Sequence, residues 1–176
     1  MNTFYPQSAA ADPRILVAGI GNIFHGDDIF GVTVARELAS GDLPAGVQVT
    51  DFGIRSYDLA YAMLDDYDAT ILVDATAQGG APGTLYLIEP DLDDLDQFAG
   101  LVVDSHSMNP MTALQLVKSF GGRPSRLYLV GCEPATLESV DGRMGLSEPV
   151  QTAVPEAINM VTELINRIRE ECVAAA

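Results

Sequence analysis

The chain has 176 residues, 48% apolar and 19% charged, which suits one folded domain with its own core and argues against disorder. Its 9 Lys and Arg against 25 Asp and Glu leave a net charge of −16, which makes nucleic acid and anionic membranes poor partners. Cys132 and Cys172 are too few for a disulfide framework, and no apolar run is long enough to span a bilayer.

Residues 1–13 lack the basic and apolar segments of a signal peptide. They read as a flexible tail before one α/β domain over 14–176, and the protein is expected in the cytoplasm. Ile15 to Ala18 reads as a strand that runs into Gly19-Ile20-Gly21-Asn22. From Asp28 to Ala39 the apolar positions Ile29, Val32, Val34, Ala35 and Leu38 recur at helical spacing. After a loop, Val47 to Asp51 is a second strand, and Ser56 to Asp65 a helix with Ser56 as its expected N-cap. Thr70 to Asp74 is a third, buried strand, and Thr84 to Glu89 a fourth beyond the turn Gly79 to Gly83. The acidic stretch Pro90 to Gln97 reads as loop or short surface helix. Met111 to Phe120 is a helix opened by Asn109-Pro110, Arg126 to Gly131 the last strand, and Pro149 to Val173 a long terminal helix. This alternation predicts a three-layer α/β sandwich, a mostly parallel five-stranded sheet with helices on both faces.

The strand, Gly-x-Gly and helix at the start invite comparison with a dinucleotide site. That fingerprint needs a third glycine where this chain has Phe24, and Asp27 and Asp28 would repel a pyrophosphate at the helix N-terminus. The fingerprint fails, and the aspartates need another reading. A pair of Asp at a helix start commonly caps it. Asp74, at a strand end, is by itself an ordinary turn former. Yet ligands of open α/β sheets bind beyond the carboxyl ends of the strands, and Asp28 and Asp74 follow strands that end on the same edge. Histidine is scarce: only His25 and His106 exist. His106 sits in a polar loop, Asp104 to Pro110, either as an idle surface group or, on that same edge, as a third ligand. Two carboxylates and an imidazole suit a first-row divalent metal with an open position. No Gly-x-Ser-x-Gly elbow or His-Glu-x-x-His is present. Cys132 paired with His106 is the remaining nucleophilic option, against the plainer reading of a buried apolar residue.

Taken in order, GIGNIFHGDDIFG (Gly19 to Gly31), ILVDAT (Ile71 to Thr76), SHSMNP (Ser105 to Pro110), LVGCEP (Leu129 to Pro134) and MGLSEPVQTAV (Met144 to Val154) resemble the hydrogenase maturation endopeptidases. The resemblance runs from Ile15 to about Ile168. It implies a twisted five-stranded sheet between helices, and Asp28, Asp74 and His106 as metal-binding catalytic residues. It also implies an activity, removal of a C-terminal extension from the large-subunit precursor of a nickel–iron hydrogenase after nickel insertion. The nickel is expected to arrive with the precursor, and the enzyme to be a monomer. Asp27 would be a helix cap or a carboxylate supporting the ligands. One departure is Gly53-Ile54-Arg55-Ser56, where many members have Gly-Thr-x-Gly. The alternative from another class is a metal-binding assembly factor that holds the same precursor without cutting it.

Overall fold

In the computed structural model, which describes residues 12–92, 110–137 and 145–175, the strands are β1 (Ile15–Ile20), β2 (Val47–Gly53), β3 (Ala69–Ala75), β4 (Leu85–Ile88) and β5 (Leu127–Cys132). The helices are α1 (Phe30–Ala39), preceded by a 3-10 turn at Gly26–Ile29, α2 (Ser56–Met63), α3 (Pro110–Ser119) and α4 (Glu148–Ala175). They build one 5-stranded sheet in the order β2-β1-β3-β5-β4, parallel except for β4, which runs antiparallel to β5. The expected α/β class, strand number and mostly parallel sheet are present.

Alternation along the inner strands explains why both faces are covered. Ile15 and Val17, Ile71 and Val73, and Tyr128 and Val130 meet Phe30, Val34 and Leu38 of α1 and Val154, Val161 and Ile165 of α4. On the other face Leu16 and Ala18, Leu72, and Leu127 and Leu129 meet Leu59 and Met63 of α2 and Leu114 and Val117 of α3. Each fully buried Val, Leu or Ile contributes about 1.5–3 kcal/mol, so these two clusters hold the layers together.

The chain order places a switch point between β1 and β3. From β1 the chain winds outward through α1 to β2, then crosses back through α2 to β3 on the other side. A crevice opens beyond the carboxyl ends of strands at such a point. α1 lies close over it. A Cβ on Gly31 would overlap the carbonyl oxygens of Val73 and Ile20, and one on Gly19 would overlap Gly31 O and come within 2.5 Å of Ala35 Cβ. Gly31 thus supplies the close helix–strand approach that the dinucleotide fingerprint assigns to its third glycine, from a different position.

Several element ends differ from those expected. β1 continues through Gly19 to Ile20, because the ladder to Asp51 and Val73 persists under α1. Neither Asp27 nor Asp28 caps α1: no side chain caps that helix, and residues 26–29 form the 3-10 turn. Ser56 is the first helical residue of α2 rather than its N-cap, a place taken by Arg55 without a side-chain cap. Arg55 instead turns back, its Nε donating to Phe52 O (3.0 Å) and its guanidinium also reaching Asp51 O, which fixes the corner after β2. α2 stops at Met63 as Leu64 and Asp65 bond to carbonyls three residues back, tightening the last turn. Residues 1–11 of the expected tail and residues 93–97 of the acidic stretch lie outside the described residues. Asp12 accepts a bond from Arg169 (3.0 Å).

Because backbone carbonyls cannot move aside, Gly31→Ala should push α1 off the sheet and cost at least ~1–3 kcal/mol. A thermal melt matching the wild type would contradict the close approach.

Candidate active site

The loop between β1 and α1 is folded tightly on itself. Gly21 adopts φ 135°, and a Cβ there would overlap Asp28 O. The Asn22 N–H donates to Asp28 Oδ2 (2.8 Å), and the Asp28 N–H to His25 O (2.9 Å). Asp28, buried, is therefore aimed by the glycine turn and by α1's seat on the sheet.

Asp74 reaches the same crevice from β3. It pairs in register with Gly131 of β5, and alternation puts it on the α2/α3 face of the sheet. Asp74 and Asp28 are close enough to sense each other's charge: burial first, then the Asp28 carboxylate, holds Asp74 well above the usual carboxylate range, while the Ala75 amide pulls it down. Asp74 Oδ1 is buried with no hydrogen-bond partner, and so is Thr76 Oγ1. Native folds rarely leave such atoms unpaired, and a buried carboxylate without a donor is costly. Two adjacent carboxylates, one of them unsatisfied, fit a divalent cation by charge and by donor type.

The family resemblance implies His106 as the third member of this site. His106 lies outside the described residues, as do Asp104, Ser105 and Ser107 of its loop. Among the described residues no cluster of His, Cys, Asp or Glu is complete enough to hold a metal ion. The described part of the candidate site is thus the Asp28–Asp74 pair. α3 runs away from the site edge: beyond its last turn Gly122 meets Leu64, near the opposite edge, and β5 then starts back. Pro110, four residues after His106 in the sequence, accordingly stands at the end of α3 nearest Asp74.

Two carboxylates on this edge have a different task. Asp27, fully buried, accepts bonds at Oδ2 from the Ala135 N–H (2.8 Å), the Thr136 N–H (3.1 Å) and Ser147 Oγ (2.9 Å), and at Oδ1 from the Ser147 N–H (2.6 Å). It does not cap its own helix as expected, and instead ties down the residue before α4 and the loop after β5. Glu133, missed by the sequence reading although it stands in LVGCEP, accepts from the Gln78 N–H (2.7 Å), the Gly79 N–H (3.2 Å) and Tyr86 Oη (2.8 Å). Burial pushes its carboxyl upward, but the amides of Gln78, Gly80 and Gly79 and the Tyr86 hydroxyl outweigh it and hold Glu133 below the usual range. The signal was available: Glu133 follows a strand that ends on the same edge as β3.

Cys132 makes a poor nucleophile. It is fully buried, and burial, followed by the charges of Asp27 and Glu133, pushes its thiol up to about 12. Its Sγ is 3.8 Å from Glu133 O, and its ring of neighbours is the core under α1 and α4. The plainer reading of Cys132, a small buried apolar residue, describes it.

Comparison with known proteins identifies the family. A family model described as hydrogenase maturation protease matches residues 32–164. This chain belongs to the hydrogenase maturation protease family. It is 32% identical to the hydrogenase expression/formation protein HupD of Rhizobium leguminosarum over 163 residues, covering 92% of this chain and 78% of HupD. It is also 32% identical to a putative hydrogenase maturation protease of Methanocaldococcus jannaschii over 148 residues, covering 84% of this chain and 93% of the relative. Among solved structures it resembles the Escherichia coli hydrogenase maturating endopeptidase HybD, with TM-score 0.73 and 27% identity over 88% of this chain and 93% of that one. The hydrogenase 2 maturation peptidase of a Thaumarchaeota archaeon is similar at TM-score 0.66 and 33% identity, over 87% and 98%. As in the rest of its family, the chain is an endopeptidase by class, and the α/β frame derived above is that of the maturation peptidases.

The contrast between partnered and unpartnered carboxylates is measurable. Asp27→Asn should cost ~1–3 kcal/mol, since it replaces one accepting oxygen with an NH2 donor that faces other donors. Asp74→Asn should leave the metal-free chain at neutral pH at least as stable as the wild type, because Asp74 Oδ1 has no hydrogen bond to lose and the variant cannot ionise beside Asp28. Equal losses in urea melts of both variants would refute the distinction. For Glu133, a lowered folded-state value means stability that is present above its unfolded pKa of about 4.3 and lost as pH falls below that. Glu133→Gln should therefore melt below the wild type at pH 7, with the gap closing in acid; a gap that persists at low pH would contradict this assignment.

Proposed function

We propose that the chain is a nickel-dependent endopeptidase that removes the C-terminal extension of a nickel–iron hydrogenase large-subunit precursor. In this reading Asp28, Asp74 and His106 bind the nickel that the loaded precursor carries, and they are the catalytic residues. The single observation that supports it most is the unpaired, buried Asp74 Oδ1 beside Asp28 at the topological switch point. A buried carboxylate oxygen without a donor, beside a second carboxylate, is costly unless a cation offsets it.

The chain's own residues do the following work. The Asn22 amide donates to Asp28 Oδ2 and so helps fix the carboxylate at the crevice. Burial and the Asp28 carboxylate hold Asp74 above the usual carboxylate range, and a cation bound beside it would favour its ionised form. The positive charge also removes the repulsion between the carboxylates, so precursor that lacks nickel meets a site that resists its own ionisation. Nickel held there supplies Lewis-acid polarisation of a neighbouring carbonyl. Asp27 and Glu133 keep the surrounding loops in place without touching the reaction. The two free thiols, Cys132 and Cys172, suit the cytoplasmic location read from the sequence, and a monomeric state belongs to the same proposal. No helix among the described residues is long and apolar enough to cross a membrane.

The test is to incubate the chain with nickel-loaded and nickel-free precursor and to follow the shortened large subunit by mass spectrometry. Only the loaded form should be cut, and His106→Ala should lower cleavage by at least about a hundredfold, on the scale of losing a metal-binding group. Equal cleavage of both forms would remove the nickel dependence. Precursor that binds tightly yet is never cut would favour the assembly-factor alternative.

A further inference from the structure

Thr76 follows Asp74 by two residues and has no part in the account so far. It is 2% exposed, and its hydroxyl has no hydrogen-bond partner. Threonine hydroxyls in folded proteins find a carbonyl with little effort, so an unpaired one beside a site is informative.

Its position is set by an absent side chain. The Thr76 N–H donates to Cys132 O (2.8 Å), which continues the β3–β5 ladder for one more rung. A Cβ placed on Gly131 would lie 2.8 Å from both Cβ and Oγ1 of Thr76. The Thr76 side chain therefore occupies the space that a residue 131 side chain would fill. Gly131 is the register partner of Asp74, and partners in a parallel ladder project from the same face. Neighbouring strands are roughly 4.8 Å apart, so the hydroxyl lies on the same face as the Asp74 carboxylate, about one strand spacing from it. Two buried, unpaired polar groups, Thr76 Oγ1 and Asp74 Oδ1, thus belong to one face of the sheet at its carboxyl edge.

We propose that Thr76 is a positioning residue of this site, seated by Gly131, whose hydroxyl donates to the Asp74 carboxylate when a divalent cation enters. Resting on the reading of Asp74 as a cation ligand, the inference adds how that ligand is oriented. An Asp carboxylate has two oxygens and can bind a cation through either or both. A donor on one oxygen leaves the other for the cation and fixes the plane of the group. Bonds of this kind to a ligand are worth ~10–100-fold in metal affinity. The arrangement also explains the glycine in LVGCEP: any larger residue at 131 displaces Thr76.

The test compares the full chain with Thr76→Val, which keeps the shape and removes the hydroxyl, and Thr76→Ser, which keeps the hydroxyl. Each is titrated with nickel chloride by calorimetry, with Asp74→Asn as the control that identifies the specific site. Thr76→Val should bind Ni2+ about tenfold more weakly. Thr76→Ser should stay within about threefold of the wild type by the same measure, since the donor is retained. The metal-free melting temperature of Thr76→Val should be no lower than that of the wild type, because the lost hydroxyl has no partner to lose. A wild-type chain without any Asp74-dependent Ni2+ uptake overturns the ligand reading and this inference with it. Wild-type binding matched by Thr76→Val overturns the role of Thr76 alone. Weaker binding that Ser does not rescue, or that comes with a lowered melting temperature, marks a packing role and also overturns it.

Discussion

The backbone-to-backbone approach of α1 to the carboxyl ends of β1 and β3 governs the rest of this molecule. Gly19 and Gly31 have no room for a side chain, because carbonyls of the sheet and of the helix fill the space on either side. With α1 pressed that close, the connection from β1 has little length in which to rise over the edge. It does so by the Gly21 turn and the 3-10 turn, and both aspartates of the Gly-Asp-Asp motif are thereby carried inward instead of into solvent. One aspartate then faces the start of α4, and its neighbour faces the crevice. A helix seated an ångström or two higher would leave room for side chains but would separate Asp28 from Asp74.

The buried carboxylates of this edge divide by what surrounds them. Asp27 and Glu133 are enclosed by amides and hydroxyls, so their charges are held in place and stabilise the loops that supply the donors. Asp74 is enclosed by strands and by another carboxylate, and one of its oxygens has no donor. The fold tolerates that deficit because its two apolar clusters are extensive and continuous beneath the site. Stability is thus concentrated in the layers, and strain in the electrostatics of a few residues, which is the usual arrangement where a ligand must be attracted.

Much of this was legible in the residues alone, for definite reasons. Apolar runs such as Ile71 to Val73 could only be strands buried on both faces, so the parallel sheet followed, and the edge rule put Asp28 and Asp74 together. The start of α1 was not legible. Asp27 has the composition of a local cap, but its partners lie at Ala135, Thr136 and Ser147, far along the chain. Gly31 escaped for a similar reason, because the close-approach glycine was sought at the position of Phe24, at a spacing this fold does not use. Glu133 was passed over since its significance comes from Gln78, Gly79 and Tyr86, which meet it only after β4 has folded back along β5. Element type is a local matter, whereas a carboxylate's role depends on which amides the topology delivers.

The Asp27 bonds have a bearing on the order in which the molecule assembles. They join residues separated by 108 to 120 positions, so nearly the whole sheet must be in place before they can close. Contacts of such long sequence separation are slow to form, and their entropy is recovered only late. The β1–α1 loop can collapse onto its own glycines early, yet Asp28 acquires its final surroundings only when the neighbouring aspartate has captured the start of α4. A nascent or partly folded chain therefore has its carboxylates but no rigid crevice to present them, and the Asp28–Asp74 pair reaches its final geometry as one of the last events of folding.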